Sequence, residues 1–344
     1  MFPTMRIVST QRRKVAIALG GGGARGYAHI GVLEELTARD YDVVQISGTS
    51  MGAVIGALFA SGHLPEYSEW VRGLRRRSDV VKLLDPNFSG ASAVKLGRVL
   101  ARVNEIIGVQ RIEELPVAFT AVATDLWARR EVWFDSGPID TALRASIAIP
   151  GVFPPIALNG RLLVDGGVAN QVPVSVLASS GADLTVAVTL DGHGTVTQRG
   201  KGLPVHTSSD EEGDAGVWSD RLRTRMGKLM EAEPMRSIAA RMAARPQQQR
   251  TEGSGTSVAD LFEELPTGLR ASDVATQSLE VLRSIVQRYQ LASFPTDALV
   301  VVPNDSVGTM DFHLAEEQIE LGRQLAAETF DRAGMLTGVG DVEA

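Results

Sequence analysis

One serine of this chain stands in a pattern that is typical of a catalytic nucleophile. Ser50 lies in Gly48-Thr49-Ser50-Met51-Gly52, between an apolar, β-branched run at residues 43–46 and a run of helical composition at residues 51–60. In such a G-x-S-x-G corner the serine occupies a sharp turn from strand to helix, and the flanking glycines avoid clashes as the backbone folds back. The pattern therefore predicts a hydroxyl at a strand end, where it can attack an acyl group.

A glycine-rich loop upstream predicts the complementary half of that chemistry. The apolar run KVAIAL at residues 14–19 predicts a strand, it leads into the loop at residues 20–26, and apolar side chains recur with helical spacing at residues 27–39. Successive glycines let backbone N–H groups point outward beside the positive end of a helix, which favours an anion or an oxyanion. Because consecutive parallel strands usually lie side by side, we expect this loop and Ser50 to meet at one sheet edge.

The same loop also matches the dinucleotide fingerprint, in the form Gly21-x-Gly23-x-x-Gly26. That fingerprint requires an acidic residue at the end of the second strand, where it binds the ribose. Here the second predicted strand ends in Ile46-Ser47-Gly48, and Asp40 and Asp42 precede it. The sequence therefore disfavours a dinucleotide site.

A serine nucleophile needs a base, and the residues leave two arrangements open. A triad of Ser50, Asp165 and either His193 or His313 would suit an α/β-hydrolase, although that fold normally places several strands before its nucleophile. In the alternative, a dyad, Asp165 takes the proton directly, from a sharp Asp-Gly-Gly turn that follows a predicted hairpin at residues 158–163. The dyad requires burial to raise the pKa of Asp165 above its reference value of about 3.9.

Alternating strand and helix patterns predict an α/β protein with a mainly parallel sheet. Further strands are predicted at residues 116–124, 131–134, 185–190 and 298–302, and further helices at residues 91–107, 139–146, 272–289 and 314–333. A polar, helical connection with a basic face is predicted at residues 63–85. The proline-rich segment AIPGVFPP at residues 148–155 predicts an apolar loop that lines a binding cleft or covers the core.

Composition narrows the class of protein further. A net charge of -7 and a pI near 5.4 argue against nucleic-acid binding, and the absence of cysteine excludes disulfides and thiolate metal sites. No stretch approaches the roughly 18 apolar residues of a membrane span, and residues 1–14 lack the apolar region of a secretory signal. We expect a cytoplasmic protein or a peripheral one, whose basic faces at residues 63–85 and 220–245 are candidates for membrane contact.

Jointly, the glycine loop, the serine corner and Asp165-Gly166-Gly167 resemble the patatin-like phospholipase family, and most of all its bacterial branch related to the catalytic domain of neuropathy target esterase. Two further blocks fit, ASIAIPGVFPP at residues 145–155 and GVANQVP at residues 167–173, so that the resemblance spans residues 15–179. It implies a three-layer α/β/α patatin-like fold and a Ser-Asp dyad without a histidine base, a metal or a cofactor. It assigns Ser50 as nucleophile, Asp165 as base and the N–H groups of Gly21, Gly22 and Gly23 as oxyanion hole, with Arg25, Gly26, Gly48, Gly52, Gly166 and Gly167 supporting the motifs.

The resemblance also implies a function and a domain organisation. We expect an arm at residues 1–13, a catalytic core at residues 14–190, a polar insertion at residues 191–272 that could serve as a lid or an interfacial segment, and core elements at residues 273–344. The expected substrate is a lipid ester, either a phospholipid or a lysophospholipid. An acyltransferase that uses the same serine, or a non-catalytic lipid-binding regulator, is the alternative, and the oligomeric state stays open.

Overall fold

The computed structural model describes residues 12–81, 85–86, 94–95, 97–192 and 271–338. Within these ranges the strands are β1 (Lys14–Leu19), β2 (Asp42–Thr49), β3 (Asp85–Pro86), β4 (Val94–Lys95), β5 (Ala118–Asp125), β6 (Arg130–Phe134), β7 (Ile156–Leu158), β8 (Arg161–Asp165), β9 (Leu184–Gly192) and β10 (Ala298–Pro303). The α-helices there are α1 (Ala28–Ala38), α2 (Met51–Ala60), α3 (Leu64–Arg72), α4 (Arg77–Val81), α5 (Gly97–Ile107), α6 (Ile139–Ser146), α7 (Ala271–Ser293) and α8 (Ala315–Arg332).

A mixed, mostly parallel sheet forms the centre of the fold. Its order is β10-β9-β1-β2-β5-β8-β7, and β6 pairs with β5 outside that path. The strands from β10 to β5 run parallel, whereas β6, β7 and β8 are antiparallel additions at one side. Parallel neighbours need crossover connections, and the alternation of strand and helix patterns in the sequence supplied them. The prediction of an α/β fold with a mainly parallel sheet is confirmed.

Packing on both faces of the sheet explains why β1 is apolar throughout. Val15, Ile17 and Leu19 belong to the larger core, which includes residues of α1, α2 and α8. Ala16 and Ala18 face the opposite side, in a smaller cluster against which Leu291 of α7 packs. A strand that is covered on both faces shows a continuous apolar run rather than an alternation of apolar and polar residues.

Glycines let α2 lie unusually close to the sheet. A Cβ atom at Gly52 would overlap the carbonyl group of Leu19, and one at Gly56 would lie 2.9 Å from Cγ2 of Ile46 and 3.0 Å from the ring of Phe119. Each glycine in a helix is unfavourable by about 1 kcal/mol relative to alanine, which this close approach offsets. The small residues of α2 therefore seat the N-terminus of this helix against the ends of β1 and β2.

Some predicted elements differ from the structure or lie outside it. The connection at residues 63–85 contains two helices, α3 and α4, and the helix predicted from residue 91 begins only at Gly97, after the short strand β4. Of the predicted insertion at residues 191–272, only its ends are described, because β9 extends to Gly192 and α7 begins at Ala271. The basic segment at residues 220–245 and most of the N-terminal arm also lie outside the described residues.

None of the helices in the described ranges is both long enough and apolar enough to cross a bilayer.

Candidate active site

Ser50 occupies a strained corner between β2 and α2. Its backbone has φ 56° and ψ −122°, a conformation that residues with a Cβ atom rarely adopt and that is found mainly at functional sites. The corner closes tightly, since a Cβ atom at Gly48 would come within 2.5 Å of the Gly52 carbonyl oxygen. The predicted strand-to-helix turn is therefore present, and its two glycines are required by close approach of the backbone.

The register of β5 brings Asp165 next to this corner. β2 pairs with the first part of β5, ending at Thr49 opposite Val122, and β8 pairs with the next residues, beginning with Asp165 opposite Ala123. Because β6 occupies the other edge of β5 along residues 121–125, β2 and β8 must share one edge. Along this edge of β5, Asp165 therefore occupies the position next to the end of β2, where the chain turns at Ser50.

The carboxyl group of Asp165 is buried and only partly satisfied. The side chain is 7% exposed, and its Oδ1 accepts a hydrogen bond of 2.7 Å from the N–H of Gly167. Oδ2 has no hydrogen-bond partner in the part of the chain that the structure describes. Burial raises the pKa of Asp165 to about 6, against smaller opposing effects of the Ser50 side chain, the Gly167 N–H and the charge of Arg283. This carboxylate is a stronger base than an ordinary aspartate, and one of its oxygens is available.

The histidines of the described residues do not bind either of these side chains. His29 is fully buried, and its Nε2 lies 2.7 Å from the carbonyl oxygen of Gly20, so that this nitrogen carries the proton. Burial lowers the pKa of His29 to about 4, which keeps the ring neutral. His313 lies in the 3-10 turn before α8, and His193 falls outside the described residues. His29 therefore stabilises the glycine loop through its hydrogen bond to the carbonyl oxygen of Gly20.

Two neighbouring N–H groups of the glycine loop have no acceptor among the described residues, whereas those on either side of them do. Gly21 donates its N–H to the carbonyl oxygen of Gln171, at 3.1 Å, and Ala24 donates to that of Thr309, at 2.9 Å. Between them, the N–H groups of Gly22 and Gly23 have no acceptor among the described residues. Gly21, one of the three residues of the predicted oxyanion hole, also lies against Ser50, since a Cβ atom there would be 3.2 Å from Cβ of Ser50.

Gln171 joins the glycine loop to the loop that carries Asp165. Besides accepting from the N–H of Gly21, it donates from its side-chain Nε2 to the Gly21 carbonyl oxygen at 2.6 Å, and it is buried. Arg25 also stabilises this loop, because its guanidinium donates hydrogen bonds to the carbonyl oxygens of Gly22 (3.2 Å) and Asn304 (3.0 Å). Gly21 is thus held by two hydrogen bonds to Gln171, one to its backbone and one from its side chain.

Ser146 connects the corner at Ser50 to β5 through two hydrogen bonds. The N–H of Ser50 donates to Oγ of Ser146 at 2.9 Å, and the Ser146 hydroxyl donates to the carbonyl oxygen of Val122 at 2.7 Å. Ser146 is fully buried at the end of α6. Sequence reasoning placed Ser146 and Gln171 in motif blocks but missed what their side chains do. The only signal was their place in those blocks.

Three further motif glycines lack a Cβ atom at positions where neighbouring groups approach too closely for one. A Cβ atom at Gly26 would overlap the side chain of Met51, and one at Gly166 would overlap the carbonyl group of Val122. A Cβ atom at Gly167 would likewise overlap the Gln171 side chain. These glycines let three loops converge around Ser50.

An apolar cavity that opens to solvent is lined in part by Ser50. The predicted loop at residues 148–155 contributes Ile149 and Phe153 to the cavity wall. Trp70, from the predicted helical connection at residues 63–85, also lines the cavity. Two tyrosines of the lining, Tyr27 and Tyr67, are buried, and burial raises the pKa of both, so that their hydroxyls stay neutral. The other lining residues are Gly23, Met51, Val54, Leu74, Val80, Leu100, Val103, Ile147, Thr309, Met310 and Phe312.

The chain is similar to several known proteins. The family model described as patatin-like phospholipase matches residues 17–178. An uncharacterized NTE family protein of Mycobacterium tuberculosis is 37% identical over 348 residues, which cover 95% of this chain and 94% of that protein. The patatin-like phospholipase domain-containing protein 7 of Mus musculus is 33% identical over 183 residues, 51% of this chain and 13% of that protein. The crystal structure of VipD from Legionella pneumophila aligns with a TM-score of 0.39 at 12% identity, covering 94% of this chain and 67% of that one.

Proposed function

The chain belongs to the patatin-like phospholipase family, which implies lipid acyl hydrolase activity, and from this premise we propose a serine hydrolase that acts through a Ser50–Asp165 dyad. The observation that carries the proposal is the buried Oδ2 of Asp165, which has no hydrogen-bond partner among the described residues and belongs to a residue one register position beyond the end of β2 at Thr49. A buried carboxylate oxygen without a partner is unfavourable, and such groups are concentrated at functional sites.

In the first half-reaction the Ser50 hydroxyl attacks the carbonyl carbon of the ester, and its proton passes to Asp165. The tetrahedral intermediate carries a negative charge on the former carbonyl oxygen, which the N–H groups of Gly22 and Gly23 stabilise. When the intermediate collapses, protonated Asp165 gives the proton to the departing alcohol oxygen. The product is an acyl ester on Ser50.

In the second half-reaction a water molecule attacks the acyl-serine while Asp165 accepts its proton. The same N–H groups stabilise the second tetrahedral intermediate, and its collapse releases a fatty acid and restores the Ser50 hydroxyl. With a pKa of about 6, Asp165 is ionised at neutral pH and can accept a proton. Because this pKa lies close to neutral pH, Asp165 can also donate the proton again.

The cavity supports a long acyl chain as the part of the substrate that is recognised. Its lining is mostly apolar, and the residues there that carry a hydroxyl are Tyr27, Ser50, Tyr67 and Thr309. Because burial of each methylene contributes about 0.8 kcal/mol, an acyl chain in this cavity should bind more tightly as it lengthens. We therefore propose phospholipids or lysophospholipids as substrates.

Labelling and turnover together test the dyad. Wild type should react with a fluorophosphonate probe and hydrolyse p-nitrophenyl esters, Ser50→Ala should lose both, and Asp165→Asn should lose both while it stays folded. The exposed Ser136→Ala variant serves as a matched control. Unchanged labelling of Ser50→Ala would refute the nucleophile, and full turnover by Asp165→Asn would refute the base. Product analysis with a glycerol acceptor distinguishes hydrolysis from acyl transfer.

A further inference from the structure

The tip of the β5–β6 hairpin exposes apolar side chains where turns normally carry polar ones. Leu126 is 42% exposed and Trp127 is 68% exposed. The turn itself is ordered by Asp125, whose Oδ1 accepts hydrogen bonds from the N–H groups of Trp127 (3.0 Å) and Ala128 (3.2 Å). The indole of Trp127 is therefore presented to the outside by a rigid turn.

Basic side chains surround this apolar tip. Arg129 and Arg130 follow it directly in the chain, and Arg161 begins β8 beside it, since the N–H of Leu126 donates to the carbonyl oxygen of Leu162. All three arginines are exposed, and their side chains form no ion pair or hydrogen bond with any described residue. In a chain with a net charge of -7, this is a local excess of unpaired positive charge.

The acidic residues next to the tip are already engaged. Asp125 is buried and accepts the two N–H groups of the turn, and Glu131 accepts a hydrogen bond of 2.7 Å from Nδ2 of Asn170. Both carboxylates keep their charge, but neither forms an ion pair with Arg129 or Arg130 among the described residues, and the three arginines outnumber these two acidic residues. The tip presents an apolar centre with a positive rim.

The tip lies at the same edge of the sheet as the dyad. β5 runs from Ala123, which pairs with Asp165, to the turn at residues 126–129. At about 3.3 Å per residue, Trp127 projects on the order of 10 Å beyond the level of Asp165. A surface that contacts the tip therefore faces the edge of the sheet where Ser50 and Asp165 meet.

We propose that the tip, residues 126–130 with Arg161, docks the enzyme on a phospholipid bilayer with anionic headgroups. The proposal rests on the proposed function, because it explains how a buried dyad meets a substrate that resides in a bilayer. Tryptophan favours the boundary between headgroups and acyl chains, and arginine binds lipid phosphates while its stem lies on apolar surface. A protein partner would need about 1,000 Å² of complementary surface, far more than one hairpin tip provides.

Vesicle cosedimentation of the full chain tests the proposal, with Ser50→Ala as background so that lipid hydrolysis cannot change the vesicles. We expect binding to mixed phosphatidylcholine and phosphatidylserine vesicles, weaker binding to pure phosphatidylcholine, and a decrease with salt. Arg129→Gln with Arg130→Gln should weaken binding to the mixed vesicles about 25-fold, since each arginine near an anionic surface contributes about fivefold. Trp127→Ala should weaken binding to both kinds of vesicle.

A matched control is Trp133→Ala, which removes an exposed tryptophan of the same hairpin away from its tip and should leave binding unchanged. Turnover of soluble p-nitrophenyl esters by the tip variants in the wild-type background should also be unchanged, whereas vesicle hydrolysis should fall. Failure of wild type to bind vesicles, binding that is insensitive to the tip variants, or binding only through a second protein would overturn the proposal. Inactivity of every variant on soluble esters would instead overturn the proposed function.

Discussion

Replacement of Asp165 by asparagine should stabilise the fold at neutral pH. Burial raises the pKa of Asp165 to about 6 from a reference value of 3.8. Between these two values the folded protein keeps a proton that the unfolded chain has already lost, so that stability decreases as the pH rises through this window. Two pK units correspond to about 3 kcal/mol, which is the full destabilisation by the ionised carboxylate above pH 6.

Asparagine lacks this titration, while its amide oxygen can still accept the hydrogen bond from the Gly167 N–H. We expect the free energy of unfolding of Asp165→Asn, relative to wild type, to increase by about 2 kcal/mol between pH 4.5 and pH 7.5. Urea unfolding at the two pH values measures it, and the exposed Asp135→Asn serves as the control that should follow wild type. A difference that does not change with pH would refute the argument that Asp165 is a buried, destabilised carboxylate.

The same pKa should govern catalysis in the wild type. In the proposed mechanism only ionised Asp165 accepts the Ser50 proton, so that kcat/KM for a p-nitrophenyl ester should fall about tenfold from pH 7 to pH 5. An aspartate with an ordinary pKa of about 3.9 would stay ionised over this range and give a flat profile. A flat profile would therefore contradict the role of burial at this site.

Three further substitutions test the surroundings of the dyad. Ser146→Ala leaves the buried N–H of Ser50 without an acceptor, which should remove about 1–3 kcal/mol of stability and lower kcat; a wild-type kcat would contradict its positioning role. Gln171→Leu releases the carbonyl group of Gly21 and should lower kcat for soluble esters with little change in KM, whereas a change in KM alone would point to substrate binding. Val103→Phe partly fills the cavity and should shift preference toward shorter p-nitrophenyl esters, an effect that acetate ester turnover controls.

Much of the fold followed from local patterns. The continuous apolar run of β1 and the small-residue helix α2 could be assigned from contiguous residues, because helical and strand periodicity and the steric demands of tight turns are written over short stretches. The boundaries at residues 63–97 were less accurate, since the described part of that region contains two short helices and two strands of two residues each, which are too short to give a clear periodicity.

The sequence by itself determined that Ser50 stands at a strand-to-helix corner, that glycines surround it, and that Asp165 begins a sharp turn, because each of these depends on neighbouring residues alone. Only the tertiary structure decided that Gly21 donates its N–H to the carbonyl oxygen of Gln171 and that the Ser50 N–H donates to Ser146. These contacts join residues 150 and 96 positions apart. It also decided that Asp165 has a raised pKa, because burial is a property of the packed molecule and not of any short stretch of chain.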